Sequence, residues 1–122
     1  MVPAPRRILL VDDDTEVRDL LGLCLIERGY QVSAHGNGQE ALDALAASDL
    51  PDAVVLDLQM PVMDGRAFLT ACSVQPRLAR LRVVVLSGDA QRGDVAERPG
   101  VIAVLAKPCD LACLLEVLPG AD

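Results

Sequence analysis

The sequence is poor in aromatic residues, in lysine and in positive charge. Tyr30 and Phe68 are its only aromatic side chains, so base stacking is not available for binding nucleic acids and too few rings are present to sandwich a flavin. The formal net charge of −7 argues against a surface for phosphate backbones, and we predict no direct binding of DNA or RNA. Lys107 is the only lysine, and apart from His35 every other basic residue is arginine.

Long hydrophobic runs are also missing. No apolar stretch approaches the roughly 20 residues of a membrane helix, and the N-terminus lacks the apolar region of a signal peptide. We therefore predict a cytoplasmic protein without membrane insertion. A length of 122 residues with 52% hydrophobic residues fits one folded domain, which we place at 7–118, with flexible termini at 1–6 and 119–122.

The four cysteines form no C-x-x-C pair. In a cytosolic protein we expect Cys24, Cys72, Cys109 and Cys113 to be buried or half-buried thiols. A second interpretation stays open for Cys109 and Cys113, which lie four residues apart and could form half of a metal site on one helical face.

Short apolar runs alternate with segments of helical periodicity. The wholly apolar runs Ile8–Val11, Ala53–Leu56, Val83–Leu86 and Val101–Leu105 are typical of buried parallel strands, whereas Tyr30–Ala34 alternates like an edge strand. Five strands that alternate with helices predict a flavodoxin-like, doubly wound parallel sheet in a three-layer α/β/α sandwich. The half-exposed second strand favours the order 2-1-3-4-5.

Two helices carry specific predictions. The first is predicted to begin after Asp14 or Thr15 and to bury one face of apolar residues with helical spacing. That face consists of Val17, Leu20, Leu21, Cys24 and Leu25. The fourth helix, at about 90–98, is predicted to be short or mobile because Gly93 and Pro99 disfavour a long helix.

Acidic residues and the single lysine follow strands at the same edge of this sheet. Asp12, Asp13 and Asp14 follow the first strand, Asp57 the third and Lys107 the fifth. Packed carboxylates repel one another unless a cation compensates, and Mg²⁺ prefers such oxygen ligands. Asp13 and Asp57 are the best direct ligands, with Asp12 bound directly or through water, whereas Asp14 is interpreted as a helix N-terminal acid.

Asp57 is also a candidate nucleophile. A carboxylate that attacks a phosphoryl group forms an acyl phosphate, and the charge on the phosphoryl oxygens then needs cations and hydrogen-bond donors. Mg²⁺, Lys107 and the Ser87 hydroxyl are the candidates for that role. Taken alone, Ser87 is also compatible with an ordinary turn residue.

These residues stand in motifs that resemble the receiver domain of two-component response regulators, of which the single-domain chemotaxis regulator is the simplest type. The resemblance runs from Arg7 to about Leu118. Its motifs are Leu10-Val11-Asp12-Asp13-Asp14, Val55 through Gly65 with Asp57 and Met60-Pro61-Val62-Met63-Asp64-Gly65, Val85-Leu86-Ser87-Gly88 and Ala106-Lys107-Pro108.

The resemblance implies that Asp57 accepts a phosphoryl group from a sensor histidine kinase or a histidine phosphotransfer protein. It implies that Ser87 and Lys107 sense the phosphoryl group and switch the binding of a downstream partner. The Mg²⁺ ligands that it implies are Asp12, Asp13, Asp57 and the backbone carbonyl of Gln59. We expect a monomer or weak dimer that is no enzyme in the ordinary sense, although it assists its own phosphorylation and dephosphorylation.

Two positions depart from the family pattern. Val104 stands where the family usually carries an aromatic switch residue, and Cys109 where phenylalanine is frequent. The usual output surface, from the fourth helix through the fifth strand to the fifth helix, is therefore not transferred to this chain. Gln59 and Asp89 occupy positions that in the family tune the lifetime of the acyl phosphate.

Two other functions compete with a phosphorylated switch. One is a degenerate receiver-like interaction module without phosphorylation, which the intact acidic pair, Asp57, Ser87 and Lys107 disfavour. The other is a phosphatase of the haloacid dehalogenase type, but Glu16 stands where its motif needs threonine or valine.

Overall fold

The computed structural model describes residues 6–60, 62–88, 93–107 and 111–120. Its strands are β1 (Arg7–Val11), β2 (Gln31–His35), β3 (Ala53–Asp57), β4 (Val83–Ser87) and β5 (Val101–Ala106). Its helices are α1 (Thr15–Glu27), α2 (Gly38–Ala47), α3 (Gly65–Ser73), α4 (Gly93–Ala96) and α5 (Leu111–Val117). Strands and helices alternate along the chain, as predicted.

The five strands form one parallel sheet in the order β2-β1-β3-β4-β5, which confirms the predicted flavodoxin-like topology. β1 lies between β2 and β3, and Val11 is level with Leu56 in the β1–β3 ladder. This register brings the residue after β1, Asp12, beside the last residue of β3, Asp57. The chain reverses its direction of winding between these two strands, which is where open α/β sheets bind ligands.

The sheet is covered on both faces, because the side chains of its central strands alternate between two apolar layers. Leu9 and Val11 of β1 pack on the side of α2 and α3, where Phe68 is fully buried. Ile8 and Leu10 pack on the opposite side with α1 and α5. The three-layer arrangement therefore follows from strands that are apolar on both faces.

The predicted inner face of α1 is partly wrong. Leu21 and Leu25 are buried as expected, but Leu20 is 63% exposed and Val17 is also exposed. The helix has apolar residues nearly all round, so helical spacing alone selects more than one face. The buried Gly22 faces the sheet, where an added Cβ atom would lie 3.9 Å from the side chains of Leu10 in β1 and Val32 in β2.

The fourth helix agrees with the prediction of a short element over the part that the structure describes. α4 covers four residues, Gly93–Ala96, and contributes Val95 to the core, while 89–92 lie outside the described residues. The edge strand β2 is shifted by one residue from its predicted position and ends at His35.

The cysteines are only partly as predicted. Cys72 is buried and Cys24 half-buried, but Cys113 is exposed, and Cys109 lies outside the described residues. Burial raises the pKa of the Cys72 thiol to about 11, so this thiol is neutral and unreactive at physiological pH. No helix in the described part of the chain is long and apolar enough to cross a membrane.

Candidate functional site

Three carboxylates meet at the carboxyl edge of the sheet. One oxygen each from Asp12, Asp13 and Asp57 lies within 4.8 Å of the other two. Asp12 and Asp57 are buried, whereas Asp13 is exposed. The β1–β3 register is the cause, because it aligns the ends of two neighbouring strands that the chain follows with acidic residues.

Lys107 completes a compact ionic group. Its Nζ lies 3.0 Å from Oδ1 of Asp57 and 3.9 Å from Oδ2 of Asp12. The backbone N–H of Lys107 donates to the Ser87 carbonyl at 2.9 Å, which fixes the start of the lysine against the end of β4. The single lysine of the chain is therefore directed at the carboxylate that ends β3.

Ser87 reaches the same edge through the sheet ladder. It is the last residue of β4, is 3% exposed and pairs in register with Ala106, directly before Lys107. The preceding residue, Leu86, is level with Asp57. The structure thus places Ser87 one residue beyond Asp57 along the neighbouring strand.

The loop after β3 wraps back onto Asp57. The N–H of Gln59 donates to Asp57 Oδ1 at 3.2 Å, and the N–H of Gly65 donates to the Leu58 carbonyl at 2.9 Å. A Cβ atom on Gly65 would lie 2.8 Å from the Leu58 Cα, which is closer than van der Waals contact allows. Glycine is therefore required where α3 begins directly against the strand end.

A hydrogen-bonded turn holds the acidic run. Asp12 Oδ1 accepts from the N–H of Asp14 at 2.9 Å. Asp14 in turn accepts from the N–H groups of Glu16 and Val17 at 3.0 and 3.2 Å and so caps α1. The interpretation of Asp14 as a helix N-terminal acid is confirmed.

One oxygen of the buried Asp12 carboxyl lacks a hydrogen bond among the described residues. Its Oδ2 is shielded from solvent and has no hydrogen-bond partner among the described residues. Burial raises the pKa of Asp12, and the nearby Asp57 charge adds to the rise, while the Asp14 N–H and the Lys107 charge oppose it. A hard divalent cation satisfies such an oxygen, and three carboxylates of this spacing fit Mg²⁺.

Two features of the site were not predicted from the sequence. Arg18 reaches back from α1, and its Nη1 donates to the Asp12 carbonyl at 2.8 Å. Val62, in the loop after Asp57, has a left-handed backbone with φ of 68°, which a β-branched residue rarely adopts. The only sequence feature that could have indicated the role of Arg18 is its position one turn into a helix. Nothing in the sequence indicates the strained backbone at Val62.

His35 is not a member of the acidic cluster. It lies at the end of β2, where its Nε2 is 2.8 Å from the Ser33 hydroxyl, and its carbonyl accepts from the Asp12 N–H at 3.1 Å. Burial lowers the pKa of His35, so the neutral imidazole predominates near pH 7. Its contribution to the site is a backbone contact.

The arrangement offers a buried carboxylate with a lysine on one side and two further acids on the other. Such a group can hold a divalent cation beside Asp57 and can accept a phosphoryl group on the Asp57 carboxylate. Nothing else in the described chain brings three potential metal-binding side chains together in this way.

Comparisons with known proteins agree with this geometry. A family described as the response regulator receiver domain matches residues 8–119. The chain is 36% identical over 118 residues to the transcriptional regulatory protein PdtaR of Mycobacterium tuberculosis, covering 93% of the chain and 55% of PdtaR. It is 32% identical over 105 residues to sporulation initiation phosphotransferase F of Bacillus subtilis, covering 86% and 84% of the two proteins.

Among solved structures, the receiver domain of the sensor histidine kinase PA1611 from Pseudomonas aeruginosa is similar with a TM-score of 0.82 and 28% identity, over 93% of this chain and 94% of that one. That structure has a magnesium ion coordinated in its active site cleft. The chain spans about half the length of PdtaR. A 61-residue segment that makes up 50% of this chain is 57% identical to the response regulator MprA of Mycolicibacterium vanbaalenii and covers 26% of that protein.

Proposed function

The chain belongs to the response regulator receiver domain family of two-component systems, and from this premise we propose that it is a Mg²⁺-dependent phosphoacceptor. Asp57 accepts a phosphoryl group from a sensor histidine kinase or a histidine phosphotransfer protein, and phosphorylation switches the binding of a downstream partner. The module is a signalling switch and no classical enzyme, although the proposal includes assistance to its own phosphorylation and dephosphorylation.

One observation supports the proposal above the others. Lys107 lies 3.0 Å from Asp57, inside a cluster in which Asp12, Asp13 and Asp57 approach within 4.8 Å. A structural ion pair needs one acid, whereas this site gathers three acids around a single lysine, and Oδ2 of the buried Asp12 has no hydrogen-bond partner among the described residues. The excess of acid is expected for a site that holds a cation.

Asp12, Asp13, Asp57 and the Gln59 carbonyl would hold Mg²⁺, which when bound neutralises charge on the phosphoryl oxygens and the carboxylates. The magnesium ion in the related PA1611 receiver domain supports this assignment. The phosphotransferase named among the relatives supports a phosphoryl-transfer role.

The transfer follows from the chemistry of Asp57. A carboxylate oxygen of Asp57 attacks the phosphorus of a phosphohistidine, an O–P bond forms, and the N–P bond breaks with its electron pair leaving on the imidazole nitrogen. Lys107 is already in contact with the carboxylate, so it can follow the negative charge onto the phosphoryl oxygens. The Ser87 hydroxyl supplies a neutral donor from the neighbouring strand end.

The switch is proposed to begin at these two donors. When Lys107 and Ser87 turn toward a phosphoryl group, the segments after β4 and β5 follow, and two loop arrangements can exchange. Val104 is half-buried in β5, and its short side chain stands where the family usually has an aromatic switch residue. The proposed module, residues 7–118, acts in the cytoplasm as a monomer or weak dimer.

A titration followed by amide NMR tests this proposal. Beryllofluoride, a mimic of a carboxylate-bound phosphoryl group, is added to ¹⁵N-labelled protein with and without MgCl₂. We expect shifts at Ser87, Lys107 and their neighbours that need both Mg²⁺ and the Asp57 carboxylate, and that are lost in Asp57→Asn.

Asp49→Asn, at an exposed acid on the same chain, is the matched control and is expected to respond like the wild type. A folded protein that binds neither Mg²⁺ nor beryllofluoride contradicts the proposal and supports the degenerate interaction module instead.

A further inference from the structure

We propose that Arg18 is a positioning residue for the cation site, acting through the peptide bond between Asp12 and Asp13. The inference rests on the proposed Mg²⁺ function and adds a residue that the acidic motif does not contain. Its guanidinium Nη1 donates to the Asp12 carbonyl at 2.8 Å, so it holds the backbone that joins the two adjacent acids.

Three hydrogen bonds therefore anchor Asp12, in addition to its 3.9 Å ion pair with Lys107. Its N–H donates to the His35 carbonyl at 3.1 Å, and its carboxylate accepts from the Asp14 N–H at 2.9 Å. Arg18 supplies the third anchor, at the carbonyl. The first two contacts hold the Asp12 amide nitrogen and its carboxylate. Of the three, only the third involves the peptide bond that connects Asp12 to Asp13, and it therefore orients the plane of that peptide.

Asp13 needs this support more than its neighbours do. Its carboxylate is exposed and forms no hydrogen bond or ion pair with any residue that the structure describes, whereas Asp57 is held by Lys107 and by the Gln59 N–H. The direction of the Asp13 side chain therefore depends on its backbone.

Arg18 is itself well placed to act as an anchor. It lies in the first turns of α1, and its N–H donates to the Asp14 carbonyl at 2.9 Å, within the helix that Asp14 caps. The guanidinium passes over Gly36, where a Cβ atom would lie 3.0 Å from Nη1. The absence of a side chain at Gly36 leaves the space that the guanidinium occupies.

The charge of Arg18 and its proposed positioning role predict opposite effects on Mg²⁺ binding. A positive charge near a cation site repels the cation, so its removal alone strengthens Mg²⁺ binding. Loss of a group that orients a ligand weakens metal binding, typically by about 10–100-fold. The sign of the change in affinity after Arg18→Gln therefore separates the two effects.

The test is calorimetric titration of MgCl₂ into the wild type, Arg18→Gln, Arg18→Lys and Arg28→Gln. We expect about tenfold weaker binding for Arg18→Gln, an intermediate affinity for Arg18→Lys, and no change for Arg28→Gln. Lysine keeps the charge and one donor but loses the planar fork. Arg28 is the matched control, since it is exposed at the other end of the same helix.

A double-mutant cycle with Asp13→Asn tests whether Arg18 affects Mg²⁺ binding through Asp13. If Arg18 acts through Asp13, Arg18→Gln costs much less Mg²⁺ affinity in the Asp13→Asn background than in the wild type, because coupled residues are non-additive. In the metal-free protein, Arg18→Gln is expected to shift the Asp13 amide resonance, a readout that does not depend on Mg²⁺.

The outcomes distinguish this inference from the function on which it rests. A wild-type protein that does not bind Mg²⁺ contradicts the proposed function itself. A wild type that binds Mg²⁺, with Arg18→Gln binding equally or more tightly, overturns the role of Arg18 alone. Additive effects in the cycle overturn the path through Asp13.

Discussion

Replacing Asp12 by asparagine is expected to stabilise the metal-free protein while it damages the proposed site. The Asp12 carboxylate is buried, and its Oδ2 has no hydrogen-bond partner among the described residues. An unsatisfied buried polar group costs about 1–3 kcal/mol, more when it is charged. The variant also removes the repulsion between Asp12 and Asp57, which is larger than the attraction between Asp12 and Lys107 that is lost with it, and Lys107 stays paired with Asp57 at 3.0 Å.

We expect the free energy of unfolding to rise by about 1–2 kcal/mol in Asp12→Asn, because burying an asparagine amide still costs part of what burying the carboxylate costs. For 122 residues, an unfolding entropy of about 2.1 cal/mol/K per residue corresponds to about 0.26 kcal/mol/K in total. We therefore expect Asp12→Asn to melt about 4–8 °C above the wild type in EDTA near pH 7. Thermal unfolding followed by circular dichroism measures the difference, with Asp49→Asn as the control.

The pH dependence has a definite sign. Because burial raises the pKa of Asp12 above its ordinary 3.8, the native state binds more protons than the unfolded state between the two pKa values. The free energy of unfolding of the wild type therefore falls as the pH rises between these two pKa values, whereas that of Asp12→Asn does not fall for this reason. The difference in the free energy of unfolding between Asp12→Asn and the wild type is expected to be small below pH 3.8. It grows between pH 3.8 and the raised pKa of Asp12 and stays constant above that pKa.

Mg²⁺ is expected to reverse the order of the two melting temperatures. Ligand binding at about 100 times the dissociation constant adds about 2.7 kcal/mol to the free energy of unfolding, and only the wild type keeps all three acids. A lower melting temperature of Asp12→Asn than of the wild type in EDTA would refute the expected cost of the buried carboxylate. Equal stabilisation of both proteins by saturating MgCl₂ would refute the role of Asp12 in the proposed cation site.

Three glycine or loop substitutions test the backbone account through the free energy of unfolding in urea. Gly22→Ala is expected to stabilise by about 1 kcal/mol, because alanine favours the helix and its Cβ would lie 3.9 Å from the nearest side chains; a loss contradicts the proposed packing of α1. Gly100→Ala is expected to destabilise by about 1–3 kcal/mol, since φ is +87° and its Cβ would lie 2.6 Å from the Leu81 carbonyl oxygen; a neutral effect excludes that turn geometry. Val62→Asn is expected to stabilise by about 1 kcal/mol, because asparagine tolerates the left-handed backbone that valine adopts there with φ of 68°; an unchanged midpoint removes the inferred strain.

The sheet was predictable because its strands have a simple physical signature. Residues such as Leu10 and Val55 lie in runs that are apolar on both faces, and only a sheet covered on both sides buries such runs completely. The order of strands followed from the polar alternation of β2. The apolar residues of α1 carried no such unique signal, so the exposure of Leu20 could not be derived from spacing.

The site was predictable as a list of residues but not as a set of contacts. Strand ends in a parallel sheet meet at one edge, which is enough to bring Asp12, Asp57 and Lys107 together. The 3.0 Å contact between Lys107 and Asp57 depends on a β5 register with an irregularity near Val84. The reach of Arg18 to a backbone carbonyl depends on the packing of α1, which the sequence left undetermined.

Asp57 is proposed to form an acyl phosphate with the help of Mg²⁺. Intact-mass spectrometry after incubation with acetyl phosphate tests this phosphorylation most directly, using wild type with MgCl₂, wild type in EDTA, Asp57→Asn and the Asp49→Asn control. We predict a single phosphoryl adduct on the wild type and the control that disappears in EDTA and in Asp57→Asn. An adduct of wild-type yield on Asp57→Asn, or one that forms equally well without Mg²⁺, would contradict the assignment of Asp57 and of the acidic cluster around it.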